Sequence, residues 1–226
     1  MKRREFLTLP AQALGGVLIY TLAREPLRLA AQQDGNVKIP LCFFTEAEAR
    51  IVSAACDRMV PPSEHGPSAS AAGAPDYIDG LLGAFSFDPP RSWAGGPTSG
   101  RFGGDAKFAS FHRLSALDEL AWRMRIEGSC GLPEREFNGP VVGLQQRYRE
   151  GLAALGSDFP SLEGAEQDAR LRAESGFTEL LYGHSCEGMY GAPEYGGNRD
   201  GRAWVAIGFD GDVQPRGWTD EEVSNP

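Results

Sequence analysis

His184 and Glu187 stand three residues apart in a stretch with helical apolar spacing, so an imidazole and a carboxylate share one helical face, an arrangement that metal sites use. A third ligand is needed, and neither His65 nor His112 has a companion spacing to supply one. A stand-alone exported metal-dependent enzyme using His184 and Glu187 is therefore the alternative reading. The favoured one is that both side chains hold the following turn by hydrogen bonds. The four cysteines, Cys42, Cys56, Cys130 and Cys186, stand far apart, without the close spacing of a zinc or iron–sulfur set. Cys56 and Cys186 fall in apolar helical segments, as buried thiols or as one pair. Cys130, within Gly128-Ser129-Cys130-Gly131, is expected at the surface, either as a free thiol or bonded to a cysteine of a partner chain.

Other chemistry is not spelled out. No Gly-x-Gly-x-x-Gly follows a strand pattern, and there is no Walker loop, no Cys-x-x-Cys-His for covalent haem and no Gly-x-Ser-x-Gly nucleophile. Asp210-Gly211-Asp212 offers oxygens to calcium but not a complete loop of ligands. The chain is thus expected to hold no cofactor of its own.

The elements that would position these residues are helical. Thr45 and Glu48 form a capping box, with Phe43 or Phe44 as the staple, opening a helix to about Met59 that buries Ile51, Val52, Ala55 and Met59 before Pro61-Pro62 stops it. Residues 63–73 have the Ser, Ala and Gly composition of a linker, and a short helix from Pro75 turns Tyr77, Ile78, Leu81 and Leu82 inward. Residues 85–109 are loop by composition, with Phe85, Phe87, Trp93, Phe102 and Phe108 needing a surface to cover, their own or a partner's. Ser115 and Asp118 open a helix to about Glu127 that is expected to bury Leu117, Leu120, Ala121 and Met124. Pro140 begins the next, with Val141, Leu144, Tyr148 and Leu152 on one face. Two more run over about 163–174 and 176–190. Beyond them Tyr195 to Gly201 is a run of turn signals, and Trp204 to Phe209 is an isolated strand candidate or extended arm. The fold class is mainly α: a single compact helical domain with long ordered loops and an irregular C-terminal arm.

The first 31 residues form a segment of another kind. Arg3 and Arg4 precede Phe6 and Leu7, and the apolar run from Ala13 to Ala23 is too short to span a bilayer, which needs about 20 residues. Arg-Arg-x-Phe-Leu is the order of a twin-arginine export signal, which carries folded proteins, commonly ones that already hold a cofactor. Leu29 is a poor match three places before a cut after Ala31, so the signal is either trimmed or retained. Residues 32–226 then carry 17 basic against 29 acidic side chains, a net of −12, which excludes nucleic acid and anionic lipid held through a basic patch.

With these residues in place, the chain resembles the gluconate 2-dehydrogenase subunit 3 family. The resemblance is carried by the Arg-Arg-x-Phe-Leu start, Thr45-Glu46-Ala47-Glu48, Asp57-Arg58-Met59-Val60-Pro61 and Asp76-Tyr77-Ile78-Asp79. Its most specific part is His184-Ser185-Cys186-Glu187-Gly188-Met189-Tyr190, followed by Tyr195-Gly196-Gly197-Asn198-Arg199-Asp200-Gly201, Trp204 and Phe209. The resemblance implies a non-catalytic small subunit that partners a large FAD-dependent dehydrogenase of the glucose-methanol-choline type, often with a multihaem cytochrome c. FAD and haem c would belong to those partners. It also implies passage through the twin-arginine translocase into the periplasm and retention at the inner membrane through the complex. The motif residues from His184 to Phe209 are then candidates for the interface, and Cys130 for an intersubunit disulfide.

Overall fold

The computed structural model describes residues 41–87, 90 and 114–209. All belong to one compact unit, Leu41–Pro226. Its helices are α1 (Glu46–Met59), α2 (Ala74–Leu82), α3 (Ala116–Ile126), α4 (Leu144–Leu155), α5 (Gly164–Ala173), α6 (Ser175–Tyr190) and α7 (Arg202–Ala206), with no strand among the described residues. None of these helices is long and apolar enough to cross a membrane. The mainly helical class read from the sequence is the observed one.

Helix α6 lies at the centre, packed most closely on α2 and also against α1, α4, α5 and α7. The core runs through Val52, Ala55 and Cys56 of α1, Ile78 and Leu82 of α2, Tyr148, Leu152 and Leu155 of α4, and Leu181 and Met189 of α6. α1 starts where expected. The Thr45 hydroxyl accepts from the Glu48 amide and the Glu48 carboxylate accepts from the Thr45 amide, satisfying two donors that a helix start leaves open. The residues ahead of it are pinned by α2: the buried Asp79 carboxylate accepts from the amides of Cys42 (2.6 Å), Phe43 (3.0 Å) and Phe44 (2.9 Å). Arg149 of α4 secures the same segment, donating to the Phe43 carbonyl and lying 4.2 Å over the Phe43 ring.

Four local expectations need correction. Residues 63–73 are not a loose linker: Ala69 and Ala72 are buried, and Asp57 accepts from the Ser70 amide and hydroxyl at 2.8 and 2.5 Å. Helix α3 turns its other face inward. Leu117 is 75% exposed and Leu120 38%, whereas Ile126 is buried and Arg123 lies 4.1 Å over Phe85. The helix expected from Pro140 starts at Leu144, because Val142 pairs with Gly128 and the Val141 carbonyl accepts from the Ser129 amide, holding this stretch in a bridge. The strand or extended arm expected from Trp204 is instead the helix α7, whose Ala203 amide donates to the Asn198 side chain at 3.2 Å.

Candidate functional site

The motif of greatest interest occupies the last two turns of α6. Gly188 lets α2 come close, since a Cβ there would lie 2.9 Å from the Ala74 Cα and 3.0 Å from the Tyr77 Cβ. On the buried side His184 is 4% exposed, with its Nδ1 2.8 Å from the Tyr148 hydroxyl of α4 and the two rings nearly parallel, 5.8 Å apart. Burial pushes the His184 pKa down, against the pull of Glu187, and pushes the Tyr148 pKa well up. Both groups are therefore neutral near pH 7, and their hydrogen bond joins a neutral imidazole to a protonated phenol.

Neighbouring side chains reach other helices. The Ser185 hydroxyl donates back to the Leu181 carbonyl at 2.6 Å and lies 3.3 Å from the Cys56 sulfur of α1. Burial raises the Cys56 thiol to about 12, so it is an inert, protonated core group rather than a nucleophile. Cys56 and Cys186 form no disulfide; Cys56 is buried and Cys186 half-buried. Glu187, on the exposed side, accepts from the Tyr77 hydroxyl of α2 at 2.8 Å. Burial and this carboxylate both raise the Tyr77 pKa. One stretch of α6 thus sends His184 to α4, Ser185 to α1 and Glu187 to α2.

His184 and Glu187 do not hold the following turn, as the spacing had suggested; each bonds a tyrosine from another helix. The turn is held by backbone and by Asn198. Gly197 lies against the Gly188 carbonyl so tightly that any Cβ would overlap its oxygen, and the Asn198 amide donates to that oxygen at 2.6 Å. Asn198 is fully buried at φ 39°, with its side chain donating to the Gly191 carbonyl and accepting from Ala203. Asn tolerates this left-handed geometry because its short amide can bond locally. Arg199 fastens the turn to α2, its amide donating to the Ala72 carbonyl at 2.7 Å and its guanidinium to Asp76 at 2.5 Å. Tyr195 ends a one-turn helix closed by Gly196 in the left-handed region, and Asp200, also left-handed, lies 3.7 Å from Arg202. Trp204 is half-buried, donating from Nε1 to the Tyr190 carbonyl at 2.7 Å and meeting Phe209 edge-on at 5.1 Å. Val205, Ile207 and Phe209 remain exposed beside it.

Cys130 is exposed, as its surroundings imply. It takes φ 51°, and its thiol bonds the Glu127 carbonyl at 3.2 Å. Among the described residues, no three His, Cys, Asp or Glu side chains come together as a metal set. Arg3, Arg4, Phe6, Leu7, His112, Asp210-Gly211-Asp212 and most of 85–109 lie outside the described residues.

Sequence reasoning missed Asp79 as a clamp and Tyr77 and Tyr148 as partners of the motif. A carboxylate beside Ile78, Leu81 and Leu82 on a short apolar helix was the available signal for Asp79, because a buried charge requires donors.

No curated protein and no solved structure matches the chain. The family model described as gluconate 2-dehydrogenase subunit 3 matches residues 46–211, from the first residue of α1 to just beyond the α7 region, and so takes in every helix among the described residues and the whole 184–204 network. The chain belongs to the gluconate 2-dehydrogenase subunit 3 family.

Proposed function

We propose that this accessory subunit escorts a large flavin-dependent dehydrogenase of the glucose-methanol-choline type, acting on a sugar or sugar acid. Arg3 and Arg4 take both chains through the twin-arginine translocase, and the helical body stays on the flavoprotein in the periplasm, stabilising it at the inner membrane beside a multihaem cytochrome c. FAD and haem c sit on those partners, and the chemical step runs on the flavoprotein.

The observation that carries the proposal is the use of the motif's own polar groups. His184, Ser185, Glu187 and Asn198 are each tied to another part of this chain, so the motif builds a scaffold that fixes the positions of exposed faces. An export route for folded, cofactor-bearing proteins on such a scaffold is explained if the cofactor travels on a companion.

The test is co-expression of the full chain with its flavoprotein, followed by fractionation of the periplasm. Flavoprotein antigen and FAD absorbance are expected there with the native chain, and both are expected in the cytoplasm when Arg3→Lys and Arg4→Lys are combined, since the export receptor reads arginine pairs that lysine matches poorly. A flavoprotein that still reaches the periplasm with that variant would overturn the escort role.

A further inference from the structure

The loop between α3 and α4 carries a peptide bond that can rearrange without any enzyme. Asn138 is followed by Gly139, the neighbour that hinders least when a backbone nitrogen turns on the side-chain amide before it, because it has no Cβ. The Asn138 side chain is exposed, and no other residue holds it among the described residues. Gly139 sits at φ 97°, and a Cβ built on it would meet nothing within 4 Å, so the space around the junction is open. One bond restrains it: the Gly139 amide donates to the Glu136 carbonyl at 2.9 Å, closing the turn 136–139. The loop's fixed points lie before and after this turn. Arg135 donates to Glu127 at 2.9 Å, and Ser129 Oγ donates to Glu136 Oε1 at 2.9 Å while accepting from the Val141 amide at 3.0 Å. The tip between them, where Phe137 is 95% exposed, can open its single bond without unfolding the body.

Asn198 is the opposite case. It is fully buried, its side chain donates to the Gly191 carbonyl at 3.1 Å and accepts from the Ala203 amide at 3.2 Å, and the next residue is Arg199, whose own amide is held by Ala72 at 2.7 Å. Of the other asparagines, Asn36 precedes Val37, whose branched side chain hinders the approach, and Asn225 precedes Pro226, which has no N–H to lose. We propose that Asn138 is a site of spontaneous covalent modification, its side-chain amide converted by water to an acid through a cyclic imide with Gly139. The Gly139 nitrogen gives up its proton and bonds to Asn138 Cγ, and the side-chain nitrogen leaves with a proton as ammonia. Water then opens the imide, with no change of oxidation state. Breaking the new bond at Cγ leaves aspartate, whereas breaking the original peptide bond at the Asn138 carbonyl carbon leaves isoaspartate, with an extra carbon in the backbone. Either product adds a negative charge near Glu134 and Glu136, and isoaspartate also lengthens the turn that Gly139 closes.

The experiment incubates the full chain in mildly alkaline buffer, native and in urea, and follows each asparagine by peptide mass mapping alongside the release of ammonia. Conversion of Asn138 in the native chain is expected to outrun that of Asn198 by at least about tenfold and to stay within about tenfold of its own rate in urea, since a buried residue reacts only from rarely populated opened states. A native rate at Asn138 further below the urea rate than that overturns the proposal, because the turn would then protect the junction. Asn138→Gln must close a larger ring and reacts more slowly, so the acidic form that accumulates on isoelectric focusing is expected to disappear in this variant. The same acidic form building up at an unchanged rate in Asn138→Gln places the modification elsewhere and overturns the assignment.

Discussion

Replacing Asp79 tests whether one carboxylate joins the residues ahead of α1 to the rest of the fold. Its two oxygens accept three consecutive amides, Oδ2 that of Cys42 and Oδ1 those of Phe43 and Phe44. Hydrogen bonds to a charged acceptor contribute about 1.5–3 kcal/mol each, and the cost of losing one is largest where water cannot replace it. Cys42 and Phe43 are half-buried and can turn partly to solvent, whereas Phe44 is 5% exposed against Tyr148 and cannot. Asp79→Ala should therefore cost about 3–5 kcal/mol, a large share of the roughly 5–15 kcal/mol that holds a domain together. Asp79→Asn keeps an oxygen for Phe43 and Phe44 but turns an NH2 group toward the Cys42 amide, and should cost about 1–2 kcal/mol. Urea unfolding followed by far-ultraviolet circular dichroism should rank the native chain above Asp79→Asn and Asp79→Ala last, with similar slopes. An alanine variant within about 0.5 kcal/mol of the native chain, or an asparagine variant as weak as alanine, would refute the clamp.

Three further outcomes follow from the same geometry. His184 has a pKa lowered by burial, so the unfolded chain binds its proton more readily; stability is fully present above pH 6.5 and falls as pH drops below it, and His184→Gln should flatten that slope in thermal melts between pH 5 and 7. Gly197→Ala forces a Cβ into the Gly188 carbonyl and should cost about 2–3 kcal/mol, while Gly183→Ala, with nothing within 4 Å on an exposed turn of α6, should stabilise by roughly 0.5–1 kcal/mol in the same denaturation assay. Trp204→Ala removes the bond to Tyr190 and the Phe209 contact from a half-buried ring, which should lower stability by about 2 kcal/mol and the melting midpoint by roughly 4–8 °C in the subunit itself; an unshifted midpoint with a lost complex would make Trp204 an interface anchor instead.

Local signals carried the elements whose causes are local. The Thr45–Glu48 box and the apolar period of α1 predicted its start and its buried face, and the helices expected over about 163–174 and 176–190 are found as α5 and α6. The α3 stripe misled because the period marks a face as apolar without saying which body covers it. Pro140 failed as a helix start because a bridge to Gly128, outside any local window, holds Val142. Trp204 to Phe209 has too few residues to show a period, and the cap that makes part of it helical comes from Asn198. The motif was legible as a unit, but its partners were not. Tyr148 lies 36 residues from His184 and Cys56 lies 129 from Ser185, distances at which pairing is decided only by packing.

The α6 network separates two kinds of damage. Tyr148, His184, Ser185 and Asn198 are buried, so removing one partner leaves a polar group without water to replace it, at about 1–3 kcal/mol, and disturbs helices α1, α2 and α4 together. Leu117, Phe137, Val205 and Ile207 are exposed and contribute little to the fold of the chain that carries them. A lesion in the network should therefore lower the subunit's own stability and the yield of complex in parallel. A lesion on whichever exposed face meets the partner should leave the subunit's melting unchanged and reduce only the complex. If the family motif itself contacted the reacting groups of a partner, a third pattern would appear, with subunit and complex intact and turnover lost. His184→Gln is the variant that discriminates: its amide can still bond the Tyr148 hydroxyl, so assembly is expected to survive, and turnover per assembled flavin should stay within about twofold of the native complex.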